Sequence, residues 1–201
     1  MKRTLLFLPG AGGDPDFWRP LGDLLPQTWG KTYFAWPGLG KREADPEVNG
    51  FDDLVTLVEK EMKDNPVDIL AQSMGGLIGA RIALKHPEKV RRLVLAATTA
   101  GGVRAADYGA RDWRPDYRSD YPAAASWISD DSLDFTNEPR EITQPTLLFW
   151  SDADTICPLA VGKELLRIIP DSRLVIVPGG DHGFVRDRPQ EIVKAVKEHL
   201  E

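Results

Sequence analysis

The stretch Ile69-Leu70-Ala71-Gln72-Ser73-Met74-Gly75-Gly76-Leu77 decides the fold of this chain. The apolar run before Gln72 predicts a buried strand, and a helical pattern begins directly after Ser73. The serine therefore lies on a sharp strand–turn–helix bend. Small residues at positions 71 and 75 leave room for the strained backbone that such a bend imposes.

This bend gives the serine a chemical role. It lifts the hydroxyl of Ser73 above the sheet, and it places the N–H of Met74 at a helix N-terminus, where the group can bind a developing oxyanion. We predict that Ser73 is a nucleophile and that Met74 supplies one donor of an oxyanion hole. The alternative interpretation is a serine that only caps the helix after a strand.

Short apolar runs alternate with helical patterns along the rest of the chain. Strands are predicted at 5–8, 32–35, 67–71, 93–97, 146–150 and 174–177, and apolar residues with helical spacing lie between several of them. Asp14 and Pro15 have the pattern of an N-cap followed by proline, which predicts the start of the first helix. The alternation predicts an α/β fold: a doubly wound, mainly parallel six-stranded sheet with helices on both faces.

The segment 99–144 interrupts this alternation and contains no convincing strand. It is rich in aromatic residues: Tyr108, Trp113, Tyr117, Tyr121 and Trp127. Because a structureless loop of this length is uncommon in a compact domain unless it is functional, we predict a small, partly helical cap. The core would then consist of 1–98 and 145–201. Trp113 and Trp127 are the predicted lining of an apolar substrate pocket.

A nucleophilic serine needs a base, and the chain has three histidines. His86 stands before a proline at the end of a helix and is predicted to lie on the surface. His199 lies near the C-terminus and is predicted to be exposed to solvent. His182 lies in a glycine-rich loop after the last strand, at the sheet edge where α/β proteins hold their active sites. His182 is therefore the predicted base.

The loop after the preceding strand supplies the acid. Asp152 and Asp154 both qualify by position, but Asp154 lies deeper in the loop and can reach His182, whereas Asp152 is better placed to shape the turn. We therefore favour Asp154. The resulting order of serine, aspartate and histidine differs from the orders of chymotrypsin and subtilisin.

The glycine-rich loop after the first strand can approach a ligand closely, and the N–H of Ala11 is the predicted second oxyanion donor. Two rival phosphate-binding interpretations fail. Pro15 stands where a dinucleotide fingerprint needs glycine, and Ala35 and Arg42 replace residues that a P-loop requires. The sequence has no His-Glu-x-x-His motif and no paired cysteines, so no metal and no cofactor is predicted.

Length and charge limit the possible partners. A chain of 201 residues allows one domain with a sizeable core. The net charge of −6 and the pI of about 5.2 argue against a nucleic-acid partner. No run approaches the roughly 18 apolar residues of a membrane span, the apolar run 5–8 is too short for a signal peptide, and the single Cys157 cannot form an internal disulfide. We expect a soluble cytoplasmic protein with no membrane partner.

The chain resembles the α/β-hydrolase superfamily over essentially its whole length, and three of its loops carry the resemblance. The stretch around Ser73 looks like the nucleophile elbow of the family, Pro-Gly-Gly-Asp-His-Gly-Phe looks like its histidine loop, and Trp-Ser-Asp-Ala-Asp-Thr-Ile-Cys-Pro looks like its acid loop, with the acid at Asp154. Three residues depart from the family pattern: Ala71 replaces the first glycine of the usual Gly-x-Ser-x-Gly, Pro9 replaces the histidine of a common His-Gly pair, and Trp36 stands near a usual aspartate. The chain also begins at what would be the third strand of the family, so the resemblance implies a minimal, all-parallel version.

The resemblance implies an acyl-transfer enzyme. An elbow serine excludes the mechanisms that need an aspartate there and leaves hydrolysis of an ester, a thioester, a lactone or an activated amide, with a small acyl substrate and water as partners. Two alternatives remain open: a cofactor-free perhydrolase with the same triad, and a binding protein on a hydrolase scaffold that holds a ligand without turnover.

Overall fold

The computed structural model describes residues 3–62, 65–129 and 137–201. Residues 130–136 of the predicted cap and residues 1–2 and 63–64 of the predicted core therefore lie outside the described residues.

One six-stranded sheet organises the protein. Its strands are β1 (Thr4–Leu8), β2 (Gly30–Tyr33), β3 (Val67–Gln72), β4 (Val90–Ala96), β5 (Thr146–Ser151) and β6 (Ser172–Val177). They lie in the order β2-β1-β3-β4-β5-β6, and all five pairings are parallel. The predicted α/β fold with six strands is confirmed. Every residue of β3 and β5 is buried, which explains why these strands are nearly continuous apolar runs in the sequence.

Several strand boundaries differ from the prediction by one to three residues, most clearly those of β2 and β4. β2 begins at Gly30, two residues before the predicted start, and β4 begins at Val90 instead of position 93. β4 also ends one residue early, because Ala97 has a φ of 46°, in the left-handed region that no strand adopts. Polar and charged residues at these strand ends concealed the boundaries from a reading based on apolar runs.

Helices cover both faces of the sheet. They are α1 (Arg19–Leu24), α2 (Phe51–Glu61), α3 (Met74–Lys85), α4 (Arg114–Asp120), α5 (Leu159–Ile168), α6 (Phe184–Asp187) and α7 (Pro189–Leu200). The chain moves one way along the sheet from β1 to β2 and the other way from β3 to β4. Right-handed crossovers therefore place α1 and α3 on opposite faces. Helix α7 packs against α1, and α2 packs against α3.

The predicted start of the first helix at Asp14 and Pro15 is wrong. Residues 15–18 form turns, the Oδ1 atom of Asp14 accepts the N–H of Asp16 at 3.0 Å, and the helix begins at Arg19 with Pro20 in its first turn. An aspartate–proline pair suits a turn as well as a helix start, and here the turn leads the chain to the fully buried Trp18.

The described part of 99–144 contains no strand. It forms α4 and three short 3-10 turns, Ala105–Tyr108, Ser126–Ser129 and Pro139–Glu141. This partly helical content is the one expected for an inserted cap. The division of the chain into a core and a separate cap remains a prediction.

The sheet topology fixes where a site can form. β1 and β3 are neighbours, but the connections that leave them run in opposite directions along the sheet. Loops that diverge in this way open a crevice at the carboxyl ends of the strands. The loops after β1 and β3 contain Ala11 and Ser73, so these residues lie at the opening of the crevice.

Candidate active site

The backbone of Ser73 is strained in the way the sequence predicted. Its φ is 53° and its ψ is −122°, a region that residues other than glycine rarely adopt. The bend is held on both sides, because the N–H of Ser73 donates to the Ala96 carbonyl at 3.0 Å and Thr98 Oγ1 donates to the Ser73 carbonyl at 2.7 Å. The strain is therefore imposed by the neighbouring strand β4 and the loop that follows it.

Gly75 is required at the second position after the serine. A Cβ atom there would lie 2.4 Å from the Leu8 carbonyl oxygen and 2.5 Å from that of Pro9, well inside van der Waals contact. The end of β1 thus packs directly against the first turn of α3. This close approach brings the loop after β1 beside Ser73.

The side chain of His182 lies between the predicted nucleophile and the predicted acid. Its Nε2 is 3.0 Å from Ser73 Oγ, and its Nδ1 is 2.8 Å from Asp154 Oδ2. The two contacts join positions that are 109 and 28 residues apart in the chain. The side chain of His182 is 22% exposed, so the imidazole can be reached from solvent.

Asp154 is oriented by its own loop. Its side chain is fully buried, and its Oδ1 accepts the N–H groups of Ile156 at 2.8 Å and Cys157 at 2.9 Å. With Oδ1 held by these two donors, Oδ2 faces His182. The carboxylate can therefore hold one tautomer of the imidazole, with the proton on Nδ1, and stabilise its cation.

Asp152 contacts the backbone of the histidine loop and not the imidazole. Its Oδ1 accepts the N–H of Gly179 at 2.6 Å and so ties the acid loop to the histidine loop. It makes no contact with His182 among the hydrogen bonds and ion pairs of the described residues. Asp154 therefore contacts the imidazole of His182, whereas Asp152 links the two loops. The role of Asp152 in shaping the turn stays a prediction.

The loop after β1 is a tight turn fastened to its surroundings. The N–H of Gly13 donates to the Gly10 carbonyl at 3.0 Å, and Gly13 has a φ of +63°, which a residue with a side chain rarely adopts. Two buried indoles hold the start of the loop: Trp18 Nε1 donates to the Leu8 carbonyl at 3.0 Å and Trp36 Nε1 to the Pro9 carbonyl at 2.9 Å.

The backbone N–H groups of Ala11 and Met74 make no hydrogen bond to another described residue. Both belong to the loops that meet beside Ser73, and the N–H of Met74 is at the N-terminus of α3. They can therefore donate to an oxygen bound at the serine.

Sequence analysis missed one residue that touches the site. Gln72 is 3% exposed, and its Nε2 donates to the backbone carbonyl of His182 at 3.1 Å. It therefore links the strand before the nucleophile to the histidine loop. The available signal was a polar residue at the end of an apolar strand, directly before the serine.

The two tryptophans predicted to line a pocket are both half-buried and packed against the core. Trp113 meets the ring of Tyr117 edge-on, with ring centroids 5.4 Å apart. Trp127 has a buried Nε1 with no hydrogen-bond partner among the described residues. Neither is among the residues that hydrogen-bond to the Ser73–His182–Asp154 group, so their part in a pocket remains a prediction.

The other two histidines lie elsewhere. His86 caps the C-terminus of α3, and its Nε2 lies 2.7 Å from Glu59 Oε1. The predicted exposure of His199 is wrong, because the residue is 7% exposed and its Nε2 lies 3.1 Å from the Leu93 carbonyl. Burial lowers the pKa of His199 to about 4. The amphipathic face of α7 carries the residue into the core, which its place near the end of the sequence did not suggest.

Two further properties concern metals and membranes. Within residues 3–62, 65–129 and 137–201, no cluster of three or more histidine, cysteine or acidic side chains is arranged to hold a metal ion. In the same ranges, no helix has both the length and the apolar character needed to cross a bilayer.

Cys157 is buried, and burial raises the pKa of its thiol well above the ordinary value.

Comparison of the sequence with known proteins identifies relatives of this chain. A family model described as alpha/beta hydrolase fold matches residues 3–126, and one described as TAP-like protein matches residues 116–201. The chain is 30% identical over 170 residues to a pimeloyl-(acyl-carrier protein) methyl ester esterase of Neisseria meningitidis, a match that covers 84% of this chain but 59% of that protein. It is 26% identical to the enzyme of the same name from Chromobacterium violaceum, covering 82% of this chain and 81% of the relative.

A solved structure supports the same fold. The enol-lactonase of Burkholderia xenovorans superimposes with a TM-score of 0.81 at 19% identity, over 100% of this chain and 92% of that chain. At that identity the likeness concerns the fold alone. The first family model alone covers more than half of the sequence, and the strand order, the strained serine and the three converging loops agree with it. The chain belongs to the alpha/beta hydrolase fold family.

Proposed function

We propose that this protein is a serine hydrolase that cleaves a carboxylic ester through an acyl-enzyme intermediate. The observation that carries the proposal is the position of His182, with Nε2 at 3.0 Å from Ser73 Oγ and Nδ1 at 2.8 Å from Asp154 Oδ2. A serine, a base and a buried carboxylate in hydrogen-bond sequence form the arrangement that activates a hydroxyl for nucleophilic attack.

In the first half of the reaction, Ser73 Oγ attacks the ester carbonyl carbon while its proton passes to His182 Nε2. The carbonyl oxygen becomes an oxyanion, which the N–H groups of Ala11 and Met74 stabilise. Asp154 stabilises the imidazolium that forms. His182 then gives the proton to the leaving alkoxide, so an alcohol departs and the acyl group remains on Ser73.

In the second half, water replaces the alcohol. His182 takes a proton from the water as the water oxygen attacks the acyl carbon. His182 then gives this proton to Ser73 Oγ as the acyl–serine bond breaks. The products are a carboxylic acid and the free enzyme. Thioesters and lactones can follow the same course, because each presents a carbonyl with a leaving group that His182 can protonate.

The relatives favour an ester substrate. The two bacterial enzymes compared above are named as methyl ester esterases. The chain spans about three fifths of the Neisseria enzyme. The substrate in the name of that enzyme is therefore not assigned to this chain. Trp113 and Trp127 are proposed to contact the acyl group, since they are the half-buried tryptophans of the segment that follows β4.

The proposal is tested with p-nitrophenyl esters of graded acyl length, together with thioesters and lactones, and with a fluorophosphonate probe. We expect hydrolysis of at least one class, labelling at Ser73 located by mass spectrometry, and loss of both in the folded Ser73→Ala variant. Loss of a nucleophile costs several orders of magnitude in kcat. A folded wild-type protein that hydrolyses none of these substrates and is not labelled would support the ligand-binding alternative instead.

A further inference from the structure

The hydroxyl of Tyr117 connects α4 to the loop that contains Ala11. It donates to the Ala11 carbonyl at 2.9 Å and accepts the N–H of Gly40 at 2.9 Å. These bonds span 106 and 77 residues of sequence, and Tyr117 is only 8% exposed. A buried hydroxyl with both its donor and its acceptor function used is a specific link between two loops.

The link bears on the direction of one N–H group. In a trans peptide the N–H points away from the preceding carbonyl, so the N–H of Ala11 is directed opposite to the Gly10 carbonyl. The N–H of Gly13 fixes that carbonyl at 3.0 Å. Tyr117 fixes the carbonyl of Ala11 itself, and with it the following peptide plane. Ala11 is thus held between two oriented peptide planes.

We propose that Tyr117 is a positioning residue of the oxyanion hole, which holds the Ala11 peptide so that its N–H faces the reacting carbonyl oxygen. The inference rests on the proposed function, because it concerns the second donor of that reaction. Trp18 and Trp36 hold the start of the same loop from the core, whereas Tyr117 holds it from the segment predicted to be the cap. Docking of that segment therefore completes the hole.

The surroundings of Tyr117 suit this role. Burial raises the pKa of its hydroxyl above the ordinary value of 10, so the group keeps the proton that it donates to Ala11. The rings of Trp113 and Tyr121 pack against it, with centroids 5.4 Å and 5.0 Å away. Ring and hydroxyl are both fixed, and an oxyanion donor stabilises charge best when it needs no reorganisation.

The test compares Tyr117→Phe with Tyr121→Phe. Tyr121 lies directly after α4, its ring packs against Tyr117, and its hydroxyl makes no hydrogen bond to another described residue, so the control removes the same atom without removing the link. For Tyr117→Phe we expect kcat to fall about ten-fold with KM little changed, less than the 100-fold or more that loss of an oxyanion donor costs. Tyr121→Phe should retain wild-type kcat.

A second readout separates positioning from a structural role. A trifluoromethyl ketone forms a tetrahedral oxyanion adduct with the serine, so its affinity should fall with kcat in Tyr117→Phe, while the affinity of the carboxylic acid product stays unchanged. Replacing Tyr117 by 4-aminophenylalanine, which can still donate to Ala11, should restore both values. If Tyr117→Phe does not fold, 4-fluorophenylalanine, which fills the volume of the hydroxyl but cannot donate, takes its place.

Hydrogen exchange tests the inference apart from the activity. Amide exchange in the segment 10–13 should be faster in Tyr117→Phe than in Tyr121→Phe, whether or not the wild-type protein hydrolyses the esters tried. A wild-type protein without hydrolysis would refute the proposed function alone. Unchanged kcat, ketone affinity and exchange in Tyr117→Phe, or a lower Tm with all three unchanged, would overturn the role of Tyr117.

Discussion

The indole Nε1 of Trp36 donates a hydrogen bond of 2.9 Å to the carbonyl oxygen of Pro9. At both residues the loops of this chain depart from the α/β-hydrolase pattern, with proline in place of histidine and tryptophan in place of aspartate. The departures therefore meet in one buried contact. Pro9 cannot donate from its own backbone, but its carbonyl accepts from Trp36, and the loop that contains Ala11 is held at its start.

We expect Trp36→Phe to lose both stability and activity. The variant leaves the buried Pro9 carbonyl without its donor, which costs about 1–3 kcal/mol of unfolding free energy, and it loosens the loop before Ala11, so kcat should also fall. Urea unfolding and ester hydrolysis measure the two effects. The control is Trp29→Phe, since Trp29 lies directly before β2, at the opposite end of the sheet. Wild-type kcat in a folded Trp36→Phe protein would show that the contact is not needed for the loop.

The two aspartates of the acid loop should respond very differently to substitution by asparagine. In Asp154→Asn the amide cannot hold the same tautomer of His182 or stabilise its cation, so kcat should fall roughly a thousand-fold or more. In Asp152→Asn the amide oxygen can still accept the N–H of Gly179, and we expect a change of less than about ten-fold. Steady-state kinetics on the same ester decide the comparison. A larger loss in Asp152→Asn would move the acid to the other residue of the loop.

The outcome of sequence analysis depended on how local each signal was. The bend at Ser73 and the helix that follows it rest on neighbouring residues, and both were predicted from one stretch. The contacts of Gln72 with His182 and of Tyr117 with Ala11 span 110 and 106 positions. Ser73 and His182 are equally distant, but a nucleophilic serine requires a base, whereas a glutamine or a tyrosine does not specify its partner. His199 was misjudged for a related reason: its burial depends on how α7 lies on the sheet, and position in the chain carries no such information.

His199 should make the protein less stable as the pH falls. Its pKa is about 4 in the folded protein, whereas an unfolded chain binds this proton near 6.5. Between these values the unfolded state binds more protons, so stability rises with pH and is lost progressively from about pH 6.5 down to about 4. In His199→Gln, which keeps an N–H for the Leu93 carbonyl, the slope of the unfolding free energy should decrease by up to about 1.4 kcal/mol per pH unit. The unfolding free energy is measured by urea unfolding at each pH. The same dependence of this free energy on pH in the two proteins would contradict a contribution from His199.

The activity should follow the protonation of a single histidine. His182 accepts the proton of Ser73 through Nε2, and only a neutral imidazole can do so, so kcat/KM should fall as the pH is lowered from about 8 to about 5. His182→Ala should lose catalysis throughout this range. His86→Ala is the matched control, because His86 contacts Glu59 at the end of α3 and should leave both the rate and the profile unchanged.

Loss of folded protein at low pH would also lower kcat/KM, for two reasons. The pI of about 5.2 favours association at the acid end of the range, and His199 weakens the fold over the same interval. Light scattering and circular dichroism at each pH remove both effects, and His199→Gln should show the same kcat/KM limb as the wild type while remaining more stable in acid. A flat kcat/KM profile in folded, monodisperse protein would contradict a histidine base. A limb that disappears in His199→Gln would show that the pH dependence reports unfolding and not the chemistry at Ser73.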